Sequence, residues 1–287
     1  MCSYNIPCFV EDPKLNIKTG TQRRPASWGH LGIWLLTSLA VAIILVPVGV
    51  LIARAVTQAD IGGALTSPFV LGSIQLSLMT SAISVVALIL VGTPAAYVLA
   101  RRNFRGRSLV DAVIDLPIVL PPVVGGLALL VAMGRRGPIG APLADAGIDV
   151  AFTTTAVVIA QIFVATPFYI RAAIAGFVSV DARLEAISAT LGAKPSRTFL
   201  RVTVPLALPS LASGVVMAWA RAMGEFGATI MFAGNVAGRT QTMPLAILEA
   251  MEADVNAAIA IAVVLVTVSF VVLVSFRLLA RFSGLSL

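Results

Sequence analysis

The chain has 287 residues, of which 59% are hydrophobic and only 11% are charged. Soluble domains carry about a quarter charged residues, so this composition excludes an ordinary soluble protein and predicts an all-α polytopic membrane protein. The net charge of +7 would suggest nucleic-acid binding in a soluble protein. Here the basic residues lie at the edges of predicted spans, so we expect no nucleic-acid partner.

Residues 1–30 form a polar segment with the character of an N-terminal tail. Cys2 and Cys8 lie in this tail without metal-site spacing, and we expect both to be free and reduced. The tail lacks a short apolar core followed by a small-residue cleavage site, so no cleaved signal peptide is predicted.

Residues 31–282 form the predicted transmembrane domain. Six apolar segments in it each have roughly the twenty residues that a helix needs to cross a lipid bilayer. They are 33–53, 71–100, 110–132, 154–176, 207–232 and 257–280. The sequence therefore predicts six transmembrane helices in contact with lipid.

Basic residues are distributed unequally between the two sides of these spans. Fifteen lie on one side and four on the other, and an excess of Lys and Arg marks the cytoplasmic side. We therefore expect both termini and the segment 179–209 to face the cytoplasm. The predicted outer loops are 54–70, 133–153 and 233–256.

The segment 179–209 is patterned as two short helices. Ser179 or Asp181 can cap the first helix, and Gly192 suits the left-handed position that ends it. One apolar stripe of this helix is predicted from Leu184, Ile187 and Leu191.

The second short helix is predicted to begin at Pro195, to run through Phe199 and Val202, and to stop before Pro205. Two such helices cannot bury an apolar stripe alone. They would lie on the lipid surface or in the groove of a partner protein, and the bend together with Glu185 favours the partner.

This segment resembles the cytoplasmic coupling motif of ABC-importer permeases, in which Glu-Ala-Ala is followed by a glycine and then by Ile-x-Leu-Pro. The matching residues are Glu185, Ala186, Ile187, Ser188, Gly192, Val202, Val204 and Pro205. The general motif places its glutamate six residues before the glycine, where this chain has Ala186. The glutamate here lies seven residues before it, as is common in molybdate-type permeases.

Further runs resemble the molybdate, tungstate and sulfate branch of these permeases and extend the resemblance over roughly 60–280. They are LPIVLPPVVGGLALL at 116–130, ARAMGEFGATIMFAGN at 220–235 and GRTQTMPLAI at 238–247. The resemblance implies the type I ABC-importer permease fold in a bacterial or archaeal cytoplasmic membrane.

The resemblance also implies partners. They are a second permease copy, expected to form a homodimer, two cytoplasmic ATPases that bind ATP and Mg, and an extracytoplasmic binding protein. The residues expected to couple the permease to the ATPases are Glu185, Ala186, Ile187, Ser188, Leu191, Gly192, Val202 and Pro205.

Arg221 and Glu225 form the charged pair expected inside the fifth span, four residues apart on one helix face. Charges at membrane depth usually face a bundle interior or a water path, so we expect the pair beside the transport pathway, near a gate. Gly224 and Gly227 would permit close approach or local unwinding there. The alternative is a salt bridge that only holds the helix in register.

The third span is expected to be broken by Pro117, Pro121 and Pro122, followed by Gly125 and Gly126. Pro121 and Pro122 are also expected at the pathway, although a kink without function is equally open. Asp111 and Asp115 are expected to stabilise the start of this helix, and a role in ion transport is the alternative. The basic cluster of Arg101, Arg102, Arg105 and Arg107 is expected to set the membrane orientation and to attract anionic lipid.

Arg239, Thr240 and Gln241 follow the fifth span on the predicted outer side. They could contact the binding protein, or they could be solvated loop residues.

Several motifs are absent from the sequence. It contains no GxxxxGK[ST] loop, so ATP is expected on the partner and no cofactor on this chain. Its sole histidine, His30, lies at the first interface, so no intramembrane metal site is predicted. The absence of GxSxG disfavours an intramembrane hydrolase, and no catalytic residue is expected.

These observations and the resemblance predict the permease subunit of an ATP-driven molybdate importer that works by alternating access. Sulfate, thiosulfate or tungstate import is the near alternative, and a sulfate system could pair two different permeases. An ATPase-independent channel or secondary transporter is the alternative from another class.

Overall fold

A computed structural model describes residues 27–58 and 61–282. Within these ranges the regular structure is helical and includes no strand, which confirms the predicted all-α class. Residues 1–26, which contain most of the predicted tail and both cysteines, lie outside the described residues.

The helices follow one another with short connections. In chain order they are α1 (Ser27–Gln58), α2 (Ile61–Thr66), α3 (Pro68–Arg101), α4 (Arg107–Val119), α5 (Pro122–Met133), α6 (Gly140–Asp145), α7 (Thr154–Ser179), α8 (Ala182–Thr190), α9 (Pro195–Thr198), α10 (Val204–Met223), α11 (Gly227–Phe232), α12 (Met243–Ala253) and α13 (Val255–Phe282).

Among the described residues, five helical stretches are long and apolar enough to span a membrane. They are Gly32–Gln58, Pro68–Arg101, Thr154–Ser179, Pro195–Met223 and Val255–Ser275. The predicted third span is instead the pair α4 and α5, which meet at an angle of 116°. The number of spans is therefore six if this bent pair crosses the membrane.

The chain divides at Gly49 into two units. In the first unit, α1 carries exposed apolar side chains from Ile33 to Val46. The second unit, from Val50 onward, contains the remaining helices.

Helix α7 lies at the centre of the second unit and packs against α3 and α10. Small residues allow this close packing. A Cβ atom at Gly92 of α3 would lie 2.9 Å from the ring of Tyr169, and one at Gly176 would lie 2.6 Å from Cβ of Ser210. The first turns of α7 pack with α11 and α5 in a separate apolar cluster that includes Val157, Val164 and Phe232.

The fifth span differs from its prediction at both ends. A π-helical turn, Phe199–Thr203, joins α9 to α10 without a break, so the predicted stop before Pro205 is wrong. A proline ring clashes with the carbonyl four residues earlier in a regular helix, and the wider π-turn is the irregularity that accommodates it. At the other end the helix stops at Met223 instead of continuing to residue 232.

Candidate functional site

The segment after α7 has the predicted bent geometry. Asp181 caps α8, since its Oδ1 accepts the backbone N–H of Arg183 at 2.9 Å. Gly192 has φ +79°, a left-handed conformation that suits glycine, and α9 then begins at Pro195. The hydroxyls of Ser188 and Thr198 lie 2.8 Å apart and join the two helices.

The apolar stripe of α8 is exposed. Leu184, Ile187 and Leu191 all lie at the surface, so the second unit leaves this stripe available to lipid or to a partner. Of the other predicted coupling residues, Ala186, Gly192 and Pro205 are exposed, whereas Ser188 and Val202 are partly buried.

Glu185 differs from these neighbours because its carboxylate points back into its own chain. Its Oε1 accepts from Arg101 Nη2 at 2.8 Å and from Thr203 Oγ1 at 2.9 Å. Its Oε2 accepts from the Tyr97 hydroxyl at 3.3 Å. Arg101 therefore forms a specific ion pair, a contact that sequence reasoning missed because the partners lie far apart in the chain.

The predicted pair of Arg221 and Glu225 is present, with Nη1 and Oε2 2.7 Å apart. The expectation that both lie on one helix is wrong, because α10 ends at Met223. Glu225 lies in the break, where its side chain is only 1% exposed. Its Oε1 accepts the backbone N–H of Ala228 at 2.7 Å, so one carboxylate joins the end of α10 to the start of α11.

Two interrupted helices meet beside this carboxylate. A Cβ atom at Gly227 would lie 2.8 Å from Cβ of Pro122, and one at Gly126 would lie 2.6 Å from the carbonyl oxygen of Ala228. Glycine is therefore required by close backbone approach. The structure brings Pro122, Gly227 and Glu225 together, whereas a Cβ at Gly224 would meet only its own helix, at Ala220.

Pro121 precedes the first turn of α5 and accepts two of its free N–H groups. Its carbonyl oxygen lies 2.9 Å from the N atom of Val124 and 3.1 Å from that of Gly125. The proline pair thus ends α4 and starts α5 in a new direction, whereas Pro117 lies inside α4, so the prediction that it breaks the span is wrong.

Asp111 and Asp115 do not occupy the first turn of α4, which begins at Arg107, so the prediction that they stabilise the helix start is wrong. Both bind Arg171 of α7, through contacts of 2.8 Å from Nη1 to Asp111 and 2.6 Å from Nη2 to Asp115. This network fastens the first arm of the bent pair to the central helix.

The predicted binding-protein contact divides into buried and exposed parts. Thr240 and Gln241 are buried and order the loop 233–242. The Thr240 hydroxyl accepts the N–H of Val236 at 2.9 Å, and the Gln241 amide bonds Asn235 and Glu249. Only Arg239 of the three predicted residues is exposed.

Arg239 lines a cavity of about 380 Å³ together with Arg135, Asp149 and Phe152. Arg135 Nη2 and Asp149 Oδ2 form an ion pair of 2.6 Å. The hydrogen bond from Arg135, with a smaller attraction from Arg239, lowers the pKa of Asp149. The cavity thus carries two guanidinium groups and one carboxylate, an excess of one positive charge.

The sequence profile of one family, described as "Binding-protein-dependent transport system inner membrane component", matches residues 88–283. The chain belongs to this family. The permease is 46% identical over 208 residues to the "Molybdenum transport system permease protein ModB" of Mycobacterium tuberculosis, covering 72% of this chain and 79% of that protein. It is 41% identical over 214 residues to the "Molybdate/tungstate transport system permease protein WtpB" of Pyrococcus furiosus, covering 74% and 79%.

Among solved structures, the permease is similar to a chain of a bacterial alginate ABC transporter in complex with an alginate pentasaccharide-bound periplasmic protein. The TM-score is 0.71 at 16% identity, covering 88% of this chain and 94% of that chain. This likeness concerns the fold alone. Together with the family membership, it confirms the predicted ABC-importer permease fold. The identities to the molybdenum and molybdate/tungstate permeases confirm the resemblance to the molybdate branch.

Proposed function

We propose that this permease is the membrane subunit of an ATP-driven importer of molybdate. The observation that carries the proposal is the 46% identity over 208 residues to a molybdenum transport permease. The family profile matches residues 88–283, a range that includes the broken helices and α8, so the family similarity extends over both candidate sites.

The proposed assembly contains a second copy of the permease, two cytoplasmic ATPases that bind ATP and Mg, and an extracytoplasmic binding protein. Both termini face the cytoplasm, as the excess of basic residues on that side supports. In this orientation α8 presents its exposed apolar stripe to the ATPase, an amphipathic surface of the type that fits a hydrophobic groove.

The continuous helical stretch Pro195–Met223 supports alternating access. It has 29 residues and is about 43 Å long at the rise of an α-helix. It begins directly after the bend at Gly192 and ends beside Arg221 and Glu225. A displacement of α8 by an ATPase would therefore reach the broken helices through one rigid element.

The paired state of Arg221 favours reversible attraction of an oxyanion. A free arginine would hold a dianion tightly, whereas the neighbouring Glu225 carboxylate cancels most of that charge. Weak attraction suits transport because the substrate must also leave. Pro121, Pro122, Gly224 and Gly227 complete the proposed gate around this pair.

On the outer side, the excess positive charge around Arg239 supports contact with an acidic surface of the binding protein. Complementary charge of this kind accelerates association and orients the partner. Thr240 and Gln241 would contribute indirectly, since they hold the loop that carries Arg239.

Tungstate import is the nearest alternative, and the name of the Pyrococcus furiosus relative supports it. Sulfate and thiosulfate are further alternatives of related charge. The discriminating experiment measures molybdenum and sulfur in a strain that lacks this gene, grown on scarce molybdate with and without excess sulfate, and after restoration of the gene.

Loss of cellular molybdenum with normal sulfur content, reversed by the intact gene, is the expected result. A sulfur defect would instead assign the permease to sulfate. Uptake that persists when the partner ATPase carries an inactivating substitution would support a channel or secondary transporter and overturn the ATP-driven function.

A further inference from the structure

Helix α8 carries two kinds of surface on opposite sides. Leu184 and Ile187 are exposed, whereas the carboxylate between them, on Glu185, is only 18% exposed. Its hydrogen-bond partners come from α3 and from the π-helical turn before α10. When an ATPase binds the exposed stripe, this carboxylate already accepts hydrogen bonds from its own chain.

Arg101 extends the same set of bonds to a fourth element. Its Nη2 donates to Glu185 Oε1 at 2.8 Å and also to the backbone carbonyl of Val180 at 2.9 Å. Val180 is the capping residue directly after α7. One guanidinium thus joins the end of α3 to the end of α7 and to α8.

An aromatic cluster lies against these bonds. The ring of Tyr97 lies 5.5 Å from that of Phe177 and 4.8 Å from that of Phe199, centroid to centroid. Apolar surroundings strengthen charge-assisted hydrogen bonds, and they also make a partner that is left unpaired costly. The bonds of Glu185 are therefore stronger than those of an exposed surface pair.

We propose that Glu185 is a positioning residue that fastens the coupling helix α8 to α3 and to the π-turn, so that one displacement moves both spans together. We call this set, formed by Tyr97, Arg101, Glu185 and Thr203, the coupling latch. Glu185 acts through its own chain and not by contact with the ATPase. The inference rests on the proposed function, because it concerns how ATPase motion enters the permease.

Thr203 offers a test that leaves the ATPase surface unchanged. Its side chain is 0% exposed, so a partner seated on the surface does not reach its hydroxyl. Thr203→Val removes the hydrogen bond to Glu185 at nearly constant volume. Thr242→Val is the matched control, because Thr242 is equally buried and its hydroxyl has no hydrogen-bond partner in the part of the chain that the structure describes.

The experiment uses the complete complex of permease, ATPase and binding protein in proteoliposomes and measures molybdate imported per ATP hydrolysed. For Thr203→Val and for Glu185→Gln we expect this ratio to fall about tenfold, the scale of one charge-assisted hydrogen bond, while ATP hydrolysis continues. The double variant should lose no more than Glu185→Gln alone, since both changes break one set of bonds. Thr242→Val should keep the parental ratio.

A normal ratio in Thr203→Val with a lost ratio in Glu185→Gln would overturn the latch and assign Glu185 to direct ATPase contact. Equal losses of hydrolysis and import, in step with a lower unfolding temperature, would also overturn it, because they indicate a purely structural role. If Glu185→Gln fails to assemble, the exchange of Glu185→Arg with Arg101→Glu tests the same pair. Restored coupling supports the latch, and continued loss of coupling in an assembled complex contradicts it.

The unmodified complex separates this inference from the proposed function. If it imports no molybdate with ATP, the proposed substrate fails whatever the variants do. The ratio is then measured with the oxyanion that it does import, and the same comparison of variants decides the latch.

Discussion

Two glutamates lie at opposite ends of the stretch Pro195–Met223, and they are bound in different ways. Glu225 is 1% exposed and binds Arg221 and the N–H of Ala228, both within four residues in sequence. Glu185 is 18% exposed and binds groups that lie 18, 84 and 88 residues away. At the Met223 end, the glutamate therefore makes local bonds within a buried break. At the Pro195 end, the glutamate makes long-range bonds beside an exposed helix face.

The packing also differs between the two ends, since it is tight at the buried break and open at the exposed bend. At the broken helices, a single added methyl group at Gly126 would meet the backbone of Ala228 at 2.6 Å. At the bend after α8, a Cβ atom at Gly192 would meet nothing within 4 Å. The proposed gate is therefore constrained by steric fit, whereas the proposed coupling end is constrained by backbone conformation and polar bonds.

The largest effect is expected from Gly126→Ala. The added Cβ clashes with backbone atoms of α11 that cannot rotate away, and overpacking of this kind costs about 1–3 kcal/mol or more. We expect uptake to be abolished and the unfolding temperature of the purified permease to fall. Gly72→Ala is the control, because its Cβ would meet nothing within 4 Å. Parental uptake by Gly126→Ala would contradict the tight fit of the two breaks.

The next largest effect is expected from Glu225→Gln, which leaves Arg221 without its ionic partner. Breaking such a pair costs about 2 kcal/mol here, below the range for two fully buried charges, because Arg221 is partly exposed. The double variant Arg221→Gln/Glu225→Gln should retain more uptake than Glu225→Gln alone. The two variants are compared by their initial rates of molybdate uptake in proteoliposomes. Equal or reversed effects would count against charge balance at the gate.

A smaller effect on stability, but a large one on coupling, is expected from Gly192→Val. A β-branched residue at φ +79° is strained by about 1–2 kcal/mol, so the bend between α8 and α9 should change. We expect ATP hydrolysis to continue while import falls. Gly147→Val is the matched control, since Gly147 has φ +81° and equally open surroundings. Full coupling in Gly192→Val would argue against the assignment of this segment.

The smallest effect is expected from Arg239→Gln. Removing one exposed charge should raise the KM for the loaded binding protein a few-fold, which corresponds to about 0.5–1 kcal/mol of binding free energy. The KM should also depend less on salt concentration. Arg136→Gln removes another exposed charge of the same predicted outer side and should leave that KM unchanged. Equal responses of the two variants would mean that net charge, and not the cavity, attracts the binding protein.

The sequence could be interpreted correctly wherever the physical cause is local. Apolar length predicts the long helices, and the short side chain of Asp181 and the glycine at 192 predict both ends of α8. The separation of four residues also predicts the pairing of Arg221 with Glu225, although the two residues do not share one helix. The helical class and the family resemblance are therefore evident from the sequence.

Tertiary structure decided the helix ends and the ion pairs that depend on distant partners or on the path of the backbone. Local pattern did not predict that α10 would stop at Met223 or that a π-turn would carry the helix past Pro205, because both depend on how neighbouring helices pack. The pairing of Arg171 with Asp111 and Asp115 and the bonds of Glu185 to Arg101 likewise join segments more than fifty residues apart. The sequence determined that this chain is a multi-span helical permease with a bent pair of short helices after α7. Only the fold determined which distant charges meet, because an ion pair needs its two atoms within about 4 Å, and sequence spacing restricts that distance only for residues a few positions apart.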